Sequence, residues 1–387
     1  MKVLHLSHTP LVGAPGQICA ALREQGVDAR WAVLKPENYA GLSFQLDWRW
    51  DHHLDEILAF AEAADLIHLH NYIDLDCNDF APLDFRQLWV QGKPLVRHLH
   101  STPALISRYM GKTEQEVLNC PIPKLVIAQY PERFFSRACI VPNIVARAPA
   151  SPDRTGKPLR VGYAPSNFRS ARISRWDTKG YPETIKTLKR TQASLQKMGI
   201  PLELDLITQV PHLECIARKA NCDVFIDDLV TGSYHLNTLE SLSQGCATLT
   251  HLDGRIQTML AELLKRSDFP ALDVRLENLQ TVLEHFARQP ELARALGAES
   301  RLWMQAHWSP SKMAQHFIAA YATITAYPGQ AFEERFNPSP AANYRIRDHF
   351  DQIWLGRHAS WPKLAPAWLT AIKHGLANGF RRLGLKL

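Results

Sequence analysis

Residues 222–251 form a predicted unit of strand, loop, helix and strand, in which the first strand at residues 224–226 ends in Asp227 and Asp228 and the second lies at residues 247–249. Gly232 follows in a loop, and Glu240 lies in the helical pattern behind it. Glycine lets backbone N–H groups approach an anionic group, and the start of a helix adds its positive end. A carboxylate about two turns further on can accept hydrogen bonds from the vicinal hydroxyls of a ribose. The pattern therefore indicates a nucleotide site, with a plain turn at Gly232 and a solvated Glu240 as the alternative.

Histidines occur in closely spaced pairs at or near the predicted ends of three strands in the first half of the chain. The pairs are His5 with His8, His68 with His70, and His98 with His100. In a strand with the pattern H-x-H both imidazoles point to one face, so imidazoles of neighbouring strands can converge on a metal ion. No H-E-x-x-H motif or matching carboxylate spacing accompanies the pairs, and histidines in a ligand cleft also form hydrogen bonds. We therefore predict no metal site.

Strands and helices alternate around these residues. In the first half the pattern predicts strands at residues 2–6, 29–33, 66–69, 94–99 and 125–128, and helices at residues 18–25 and 54–64. Such alternation predicts a parallel sheet with helices on both faces. A linker rich in Pro and Arg at residues 148–157 precedes a new first strand at residues 159–163. The 387 residues therefore favour two domains of about 150 to 200 residues each.

The composition excludes several classes of protein. Apolar residues make up 46% and charged residues 21% of the chain, which is typical of a globular protein. No apolar run approaches about twenty residues, and the start MKVLHLSH does not fit a secretory signal, so we expect neither a spanning helix nor export. The 7 scattered cysteines lack a C-x-x-C pair, which suits a reducing cytosol and excludes a disulfide framework. The net charge of +6 favours anionic partners, but no nucleic-acid motif accompanies it.

The second half carries a resemblance to a known family. Glu240, Gly245 and the apolar run at residues 247–249 resemble the second half of the nucleotide-sugar signature of retaining GT-B glycosyltransferases, specifically the family 4-like group. The first acidic position of that signature falls on Gly232. Together with the preceding aspartates, the loop resembles a Gly-x-Tyr-Gly variant with His235 in place of the last Gly. The resemblance implies donor contacts at Gly232, Ser233, Tyr234, His235, Asn237 and Glu240.

Residues 164–183, which read APSNFRSARISRWDTKGYPE, are similar to the A-P-S-N to K-G segment that begins the second domain of the same group, with about ten extra residues inserted. In that chemistry fixed Lys or Arg side chains stabilise the charge on a departing nucleoside diphosphate without a metal. Lys179 is the best match, and the resemblance also implies contacts at Asn167 and Arg169. Arg172 and Arg175 compete for the arginine role, with a solvated loop as the alternative.

The first half contributes two more residues through the resemblance. The loop LVGAPGQ at residues 11–17 is neither a G-x-G-x-x-G fingerprint nor a P-loop, which disfavours dinucleotide oxidoreductases and NTPases. In the glycosyltransferases a glycine loop at this place faces the donor phosphate and the acceptor, and Gly13 corresponds to it. The segment KPLVRHLHST at residues 93–102 resembles the strand before the family's cleft-facing His, which corresponds to His100.

The C-terminal region divides into two parts. Residues 301–324 resemble the last helices of the family, which cross back towards the first domain. Beyond Pro328 the resemblance ends, and apolar residues recur at helical spacing among basic ones from Trp368 to Leu387. A basic amphipathic helix of this kind can lie in an anionic membrane interface. A helix packed on the body, or a frayed tail, is the alternative, because three glycines lower the helix propensity.

These observations predict an α/β protein of GT-B fold, with two Rossmann-like, doubly wound parallel-sheet domains facing a central cleft. Residues 1–150 form the acceptor-side domain, residues 157–325 bind the nucleotide sugar, and residues 326–387 form a helical C-terminal extension. The resemblance implies a metal-independent, hexosyltransferase-type enzyme that transfers sugar from a nucleotide-sugar donor to a hydroxyl of a glycan or lipid-linked acceptor, with retention, in cell-surface polysaccharide or glycolipid assembly. Its catalytic residues are His100, Lys179 and Glu240.

The nucleotide sugar is a substrate in this interpretation, and no cofactor is expected. We expect a cytoplasmic protein, peripheral on the inner face of the membrane where the tail binds anionic lipid, without a nucleic-acid partner. Two other classes stay open. One is a different GT-B-like enzyme, either a sugar-nucleotide epimerase or a phosphorolytic enzyme. The other is a noncatalytic nucleotide- or glycan-binding relative, because the first acidic signature position is missing. A metallohydrolase built from the paired histidines ranks last.

Overall fold

The first of two sheets has seven parallel strands in the order β3-β2-β1-β4-β5-β6-β7. In the computed structural model, which describes residues 1–36, 46–148, 152–165 and 179–335, they are β1 (Lys2–Ser7), β2 (Asp28–Val33), β3 (Trp48–Arg49), β4 (Leu66–His70), β5 (Leu95–Leu99), β6 (Lys124–Ile127) and β7 (Ala138–Val141). Every residue of β4 and β5 is buried. This is expected for central strands with both faces covered.

Short helices connect these strands. They are α1 (Ala14–Glu24), α2 (Leu54–Ala63), α3 (Phe85–Val90), α4 (Pro103–Met110) and α5 (Glu114–Asn119), with 3-10 turns at Leu11–Gly13 and Tyr130–Phe134. Local sequence sets their ends. Helix α4 stops at Gly111, whose φ of 65° continues into a left-handed turn, and α5 begins with a capping box between Thr113 and Glu116.

The second sheet has five parallel strands in the order β12-β11-β10-β8-β9. They are β8 (Leu159–Tyr163), β9 (Leu202–Leu206), β10 (Val224–Ile226), β11 (Ala247–Thr250) and β12 (Leu272–Asp273). The helices of this lobe are α6 (Tyr181–Lys197), α7 (His212–Ala220), α8 (Leu236–Gln244), α9 (Gly254–Leu264) and α10 (Leu276–Arg288). The sequence pattern predicted β8, β10 and β11, and it missed β9 and the two-residue β12.

Two long helices end the described chain, α11 (Pro290–His307) and α12 (Pro310–Ala326). Helix α11 packs on α8 of the second lobe, and α12 packs on α1 of the first. At the turn between them, the indole N–H of Trp308 donates to the Asn143 carbonyl at 2.9 Å. The last helix therefore returns to the first lobe.

Both sheets lie in one unit, Met1–Arg335, and one apolar cluster contains buried side chains from both lobes. The predicted α/β architecture with two parallel sheets is confirmed. The strands of the first sheet fall within residues 1–150 and those of the second within residues 157–325, while the exact domain boundaries stay predictions. Of the predicted C-terminal extension at residues 326–387, residues 336–387 lie outside the described residues, and these include the predicted amphipathic helix from Trp368 to Leu387. Within those that are described, no helix has the length and apolar character needed to cross a membrane.

Candidate active site

The loop after β1 faces helices α7 and α8 of the second lobe across a cavity of about 280 Å³. Val12, Ala14 and Gln17 line it from the first lobe. His212 and Glu240 line it from the second. The cavity is therefore built from both lobes, at the carboxyl end of the first strand of the chain, where ligands bind in open α/β sheets.

The loop after β1 has a strained backbone. Leu11, Val12 and Gly13 have φ values of 46°, 56° and 78°, and the Gly13 N–H donates to the Pro10 carbonyl at 2.8 Å. This left-handed region is costly for a β-branched residue such as Val12 and suits glycine. Gly13 also precedes the first residue of α1, so the N–H groups of the first turn and the positive end of that helix lie at the cavity wall.

Glu240 belongs to a buried ion pair. Its side chain is 10% exposed, and the carboxylate contacts the ammonium of Lys219, which is 1% exposed. The other carboxylate oxygen lies 3.0 Å from Nε2 of His212. Burial alone would raise the pKa of Glu240, but the charge of Lys219 and the hydrogen bond with His212 outweigh it, so the pKa is lowered. The alternative of a solvated Glu240 is therefore wrong.

Lys219 and Asn237 extend this network to the end of β8. The Lys219 ammonium donates to Oδ1 of Asn237 at 2.6 Å, and Nδ2 of Asn237 donates to the Ala164 carbonyl at 2.9 Å. Lys219 and His212 were not among the site residues predicted from the sequence. One signal was available, because the two residues are seven apart and share the face of α7 that carries Ile216.

Asp227 and Asp228 organise the loop between β10 and α8. Asp227 accepts from the backbone N–H of His235 at 2.9 Å. Asp228 accepts from the backbone N–H of Thr231 at 2.9 Å, and Nε2 of His235 lies 2.9 Å from its other oxygen. Burial alone would raise the pKa of Asp228, but hydrogen bonds from His235 and Thr231 and the charge of Lys179 lower it. The carboxylates thus hold the loop in shape.

Gly232 is more than a plain turn residue. It has a φ of 75°, and a Cβ placed on it would lie 3.0 Å from Cβ of Asp253. Asp253 in turn pairs with Arg133 of the first lobe at 3.0 Å. Both the backbone conformation and the neighbour therefore favour glycine here.

Ser233 and Tyr234 face away from the solvent. Oγ of Ser233 accepts from the backbone N–H of Tyr130 at 3.1 Å, which links the two lobes. The Tyr234 ring is fully buried, with its centroid 5.4 Å from that of Phe269 and 6.2 Å from that of Trp308. Their side chains therefore serve the interlobe contact and the core.

Lys179 lies in a turn that packs against the same loop. Lys179 and Gly180 have φ values of 50° and 69°, and a Cβ on Gly180 would lie 2.3 Å from Cγ2 of Val230. The close approach brings the half-buried Lys179 near enough to Asp228 for its charge to lower the pKa of that acid. Four further predicted contacts lie outside the described residues, namely Asn167, Arg169, Arg172 and Arg175.

His100 lies in a different environment from Glu240. It follows β5 in the first lobe, its backbone N–H donates to Oδ1 of Asn71 at 2.7 Å, and its Nε2 lies 3.0 Å from Nδ1 of His70. The structure thus places Glu240 and the Gly13 loop on one cavity, gathers Lys179, Gly232 and His235 around Asp228, and places His100 in a histidine cluster.

Solved structures with a similar fold are glycosyltransferases. Sucrose-phosphate synthase from Thermosynechococcus elongatus matches with a TM-score of 0.52 and 14% identity, over 84% of this chain and 99% of that one. HepE from Anabaena in complex with UDP matches with a TM-score of 0.52 and 13% identity, over 84% and 100%. An α-glucosyltransferase in complex with UDP and DNA matches with a TM-score of 0.56 and 10% identity, over 83% and 99%.

No protein-family model matches the sequence, and a search of curated proteins finds no match. The structural matches cover both lobes, because each spans more than four fifths of the chain. They bear out the resemblance stated from the sequence at the level of the fold. The protein therefore has the GT-B fold of these glycosyltransferases.

Proposed function

We propose that this protein is a glycosyltransferase that moves a sugar from a nucleotide-sugar donor to a hydroxyl group of an acceptor. The observation that carries the proposal is the cavity between the lobes, where the anionic Glu240 of α8 faces the glycine loop at the start of α1. Two of the similar folds, HepE and the α-glucosyltransferase, are complexes with UDP.

The network around Glu240 suits ribose binding. Lys219 and His212 each engage one carboxylate oxygen, which holds the group in place. A carboxylate has about four lone-pair sites, so two remain for the vicinal hydroxyls of a ribose. Because Glu240 is already ionised and oriented in the free protein, donor binding does not have to pay for its ordering.

Basic and backbone groups suit the diphosphate. In the proposed reaction Lys179, the N–H groups of the Gly232 loop and the start of α1 beside Gly13 stabilise the charge on the departing diphosphate, with Arg169 as a further cation. No metal takes part in this stabilisation. His100 faces the transferred sugar, and the lobes close to exclude water that would otherwise hydrolyse the donor.

Hexosyl transfer with retention follows from the resemblance, as does a glycan or lipid-linked acceptor in cell-surface polysaccharide or glycolipid assembly. The basic, apolar stretch between residues 368 and 387 supports binding to anionic lipid on the cytoplasmic face of the membrane. Flotation with vesicles tests this part. The protein should float with vesicles that contain anionic phosphatidylserine and stay behind with purely zwitterionic ones.

Thermal unfolding with UDP-, GDP-, ADP- and CMP-sugars tests the donor. One nucleotide class should raise Tm, because a ligand that binds only the folded state stabilises it. Glu240→Gln should weaken the binding measured by calorimetry, while Glu262→Gln, at an exposed helical position outside the cavity, should leave it unchanged. Circular dichroism confirms that each variant is folded. If no nucleotide sugar binds, the proposal is wrong.

Products distinguish the remaining classes. A transferase should release the nucleoside diphosphate and extend an acceptor, an epimerase should change the sugar without releasing it, and a phosphorolytic enzyme should need phosphate. A noncatalytic binder is favoured by one observation, that Gly232 stands where the signature has an acid. Binding without turnover across acceptor pools would support that function instead.

A further inference from the structure

Five histidines converge in the first lobe. They lie on or directly after three adjacent strands and are His5 of β1, His68 and His70 of β4, and His98 and His100 of β5. Strand pairing sets His5 opposite His68 and His70 opposite His98. All except the half-buried His100 are fully or almost fully buried. So many imidazoles in one apolar region need partners for their ring nitrogens.

Three of them have the geometry of a metal site. One ring nitrogen from each of His70, His98 and His100 lies within 4.8 Å of the others, and Nδ1 of His70 is 3.0 Å from Nε2 of His100. Nitrogens on a tetrahedral zinc ion, at bond lengths of about 2.0–2.1 Å, lie about 3.3 Å apart. Small side-chain shifts would therefore bring the three nitrogens onto one ion.

The ring nitrogens of His98 indicate a bound ligand. His98 is fully buried, and neither Nδ1 nor Nε2 has a hydrogen-bond partner among the residues that the structure describes. A buried polar group without a partner is costly, and a coordinated ion would satisfy one of these two nitrogens.

The remaining members supply an outer shell. With His70 bound through Nδ1, its Nε2–H can donate to Nδ1 of His5 at 3.1 Å, and Nε2–H of His5 can donate to the Tyr321 hydroxyl at 3.3 Å. That hydroxyl can then donate to Nδ1 of His68 at 2.7 Å. Such a chain fixes one tautomer for each ring, as outer-shell partners of metal-bound histidines do.

The other buried trio is less suited to be the ligand set. Both ring nitrogens of His5 already have partners, because Nδ1 lies 3.1 Å from Nε2 of His70 and Nε2 lies 3.3 Å from the Tyr321 hydroxyl. Nδ1 of His68 lies 2.7 Å from the same hydroxyl. The trio of His70, His98 and His100 instead contains the ring whose two nitrogens both lack partners within the described part of the chain. This leaves His70, His98 and His100 as ligands.

We propose that His70, His98 and His100 bind one divalent transition-metal ion of the class that prefers imidazole, with Zn²⁺ as the probe. Three imidazoles leave one coordination position for water or for an anionic group of a ligand. This goes beyond the proposed sugar transfer and does not depend on it.

Direct metal binding by the full-length, chelator-treated protein tests the proposal. Calorimetry should find one Zn²⁺ per chain, and one Co²⁺ should give the visible spectrum of a tetrahedral nitrogen site. His98→Asn and His100→Gln should each weaken Zn²⁺ binding by at least roughly 100-fold, the upper end of what outer-shell changes cost. His52→Ala, at an exposed histidine, should leave the affinity unchanged. Circular dichroism checks the fold of each variant. If His98→Asn does not fold, the affinity of His100→Gln, a change at a partly exposed position, decides the test.

A second group of possible ligands can be distinguished from the histidine site because it contains a cysteine thiol. His8, Cys77 and Asp79 also have ligand atoms within 4.8 Å of one another. If they held the ion, Co²⁺ would show a thiolate charge-transfer band and Cys77→Ser would abolish binding. Either result would overturn the assignment, as would the absence of stoichiometric binding or wild-type affinity in both His98→Asn and His100→Gln. Because the readout is metal binding, it stays separate from any failure of the transferase proposal.

Discussion

Removing the carboxylate of Glu240 should destabilise the second lobe strongly. The change would leave the ammonium of Lys219, whose side chain is 1% exposed, with Asn237 as its neutral hydrogen-bond partner at 2.6 Å. Breaking one side of a buried ion pair costs about 3–5 kcal/mol, because the other charge stays out of water without compensation. The retained hydrogen bond to Asn237 offsets part of this, so we expect about 3–4 kcal/mol for Glu240→Leu.

A double-mutant cycle separates this pairing from ordinary packing. Glu240→Leu and Lys219→Met should each lower the free energy of unfolding, measured by urea titration with circular dichroism. The double variant should lie within about 1 kcal/mol of the wild type or above it, because apolar side chains of similar size often replace a buried ion pair without loss. The coupling energy should therefore be at least about 3 kcal/mol.

An exposed pair provides the matched control. Arg49 and Asp51 lie 3.2 Å apart with side chains that are 46% and 54% exposed. The same cycle with Arg49→Met and Asp51→Leu should give a coupling below about 1 kcal/mol, because water screens the charges. A cost of less than about 1 kcal/mol for Glu240→Leu, which is the range of exposed pairs, would refute the buried ion pair as a source of stability. A double variant as unstable as the sum of the two single variants would refute it as well.

Three further changes test the geometry. Gly13→Ala and Gly26→Ala place a Cβ at φ values of 78° and 79°, so each should lower the free energy of unfolding in urea by about 1–2 kcal/mol. Only Gly13→Ala should also lower the rate of sugar transfer. Equal activities of the two variants would show that the Gly13 loop is not part of the site. The folded pKa of Asp228 is below its unfolded value of about 3.9, so its contribution to stability is complete above about pH 4 and is lost as the pH falls through the folded pKa. Asp228→Asn should therefore flatten the fall in unfolding free energy below pH 4, and an unchanged slope would contradict this. Gly297→Ala would set a Cβ 2.0 Å from the carbonyl oxygen of Gly245 and should lower the free energy of unfolding by about 1–3 kcal/mol. Gly254→Ala, with open space around the new Cβ, should change it by no more than about 0.5 kcal/mol. Similar melting temperatures for the two variants would refute the packing of α11 on α8.

Local sequence determined the architecture and the position of the loop after β10. Short apolar runs that alternate with helical patterns indicate parallel strands, because strands covered on both faces are apolar throughout. The two aspartates at the end of β10 were placed correctly for the same reason. Their carboxylates accept hydrogen bonds from the N–H groups of Thr231 and His235, which follow within eight residues along the chain. Interactions of such short range depend on spacing that the sequence displays directly.

The tertiary structure decided which polar residues meet. Lys219 and Glu240 belong to different helices, and only the packing of α7 against α8 turns them into a buried pair. From the sequence Tyr234 is a loop residue, but its buried ring packs against Phe269 and Trp308, which lie far along the chain. The sequence showed three pairs of histidines, but the strand order set His70 beside His98. Contacts between distant segments depend on how elements pack, and one sequence displays spacing along the chain but not distances across the fold.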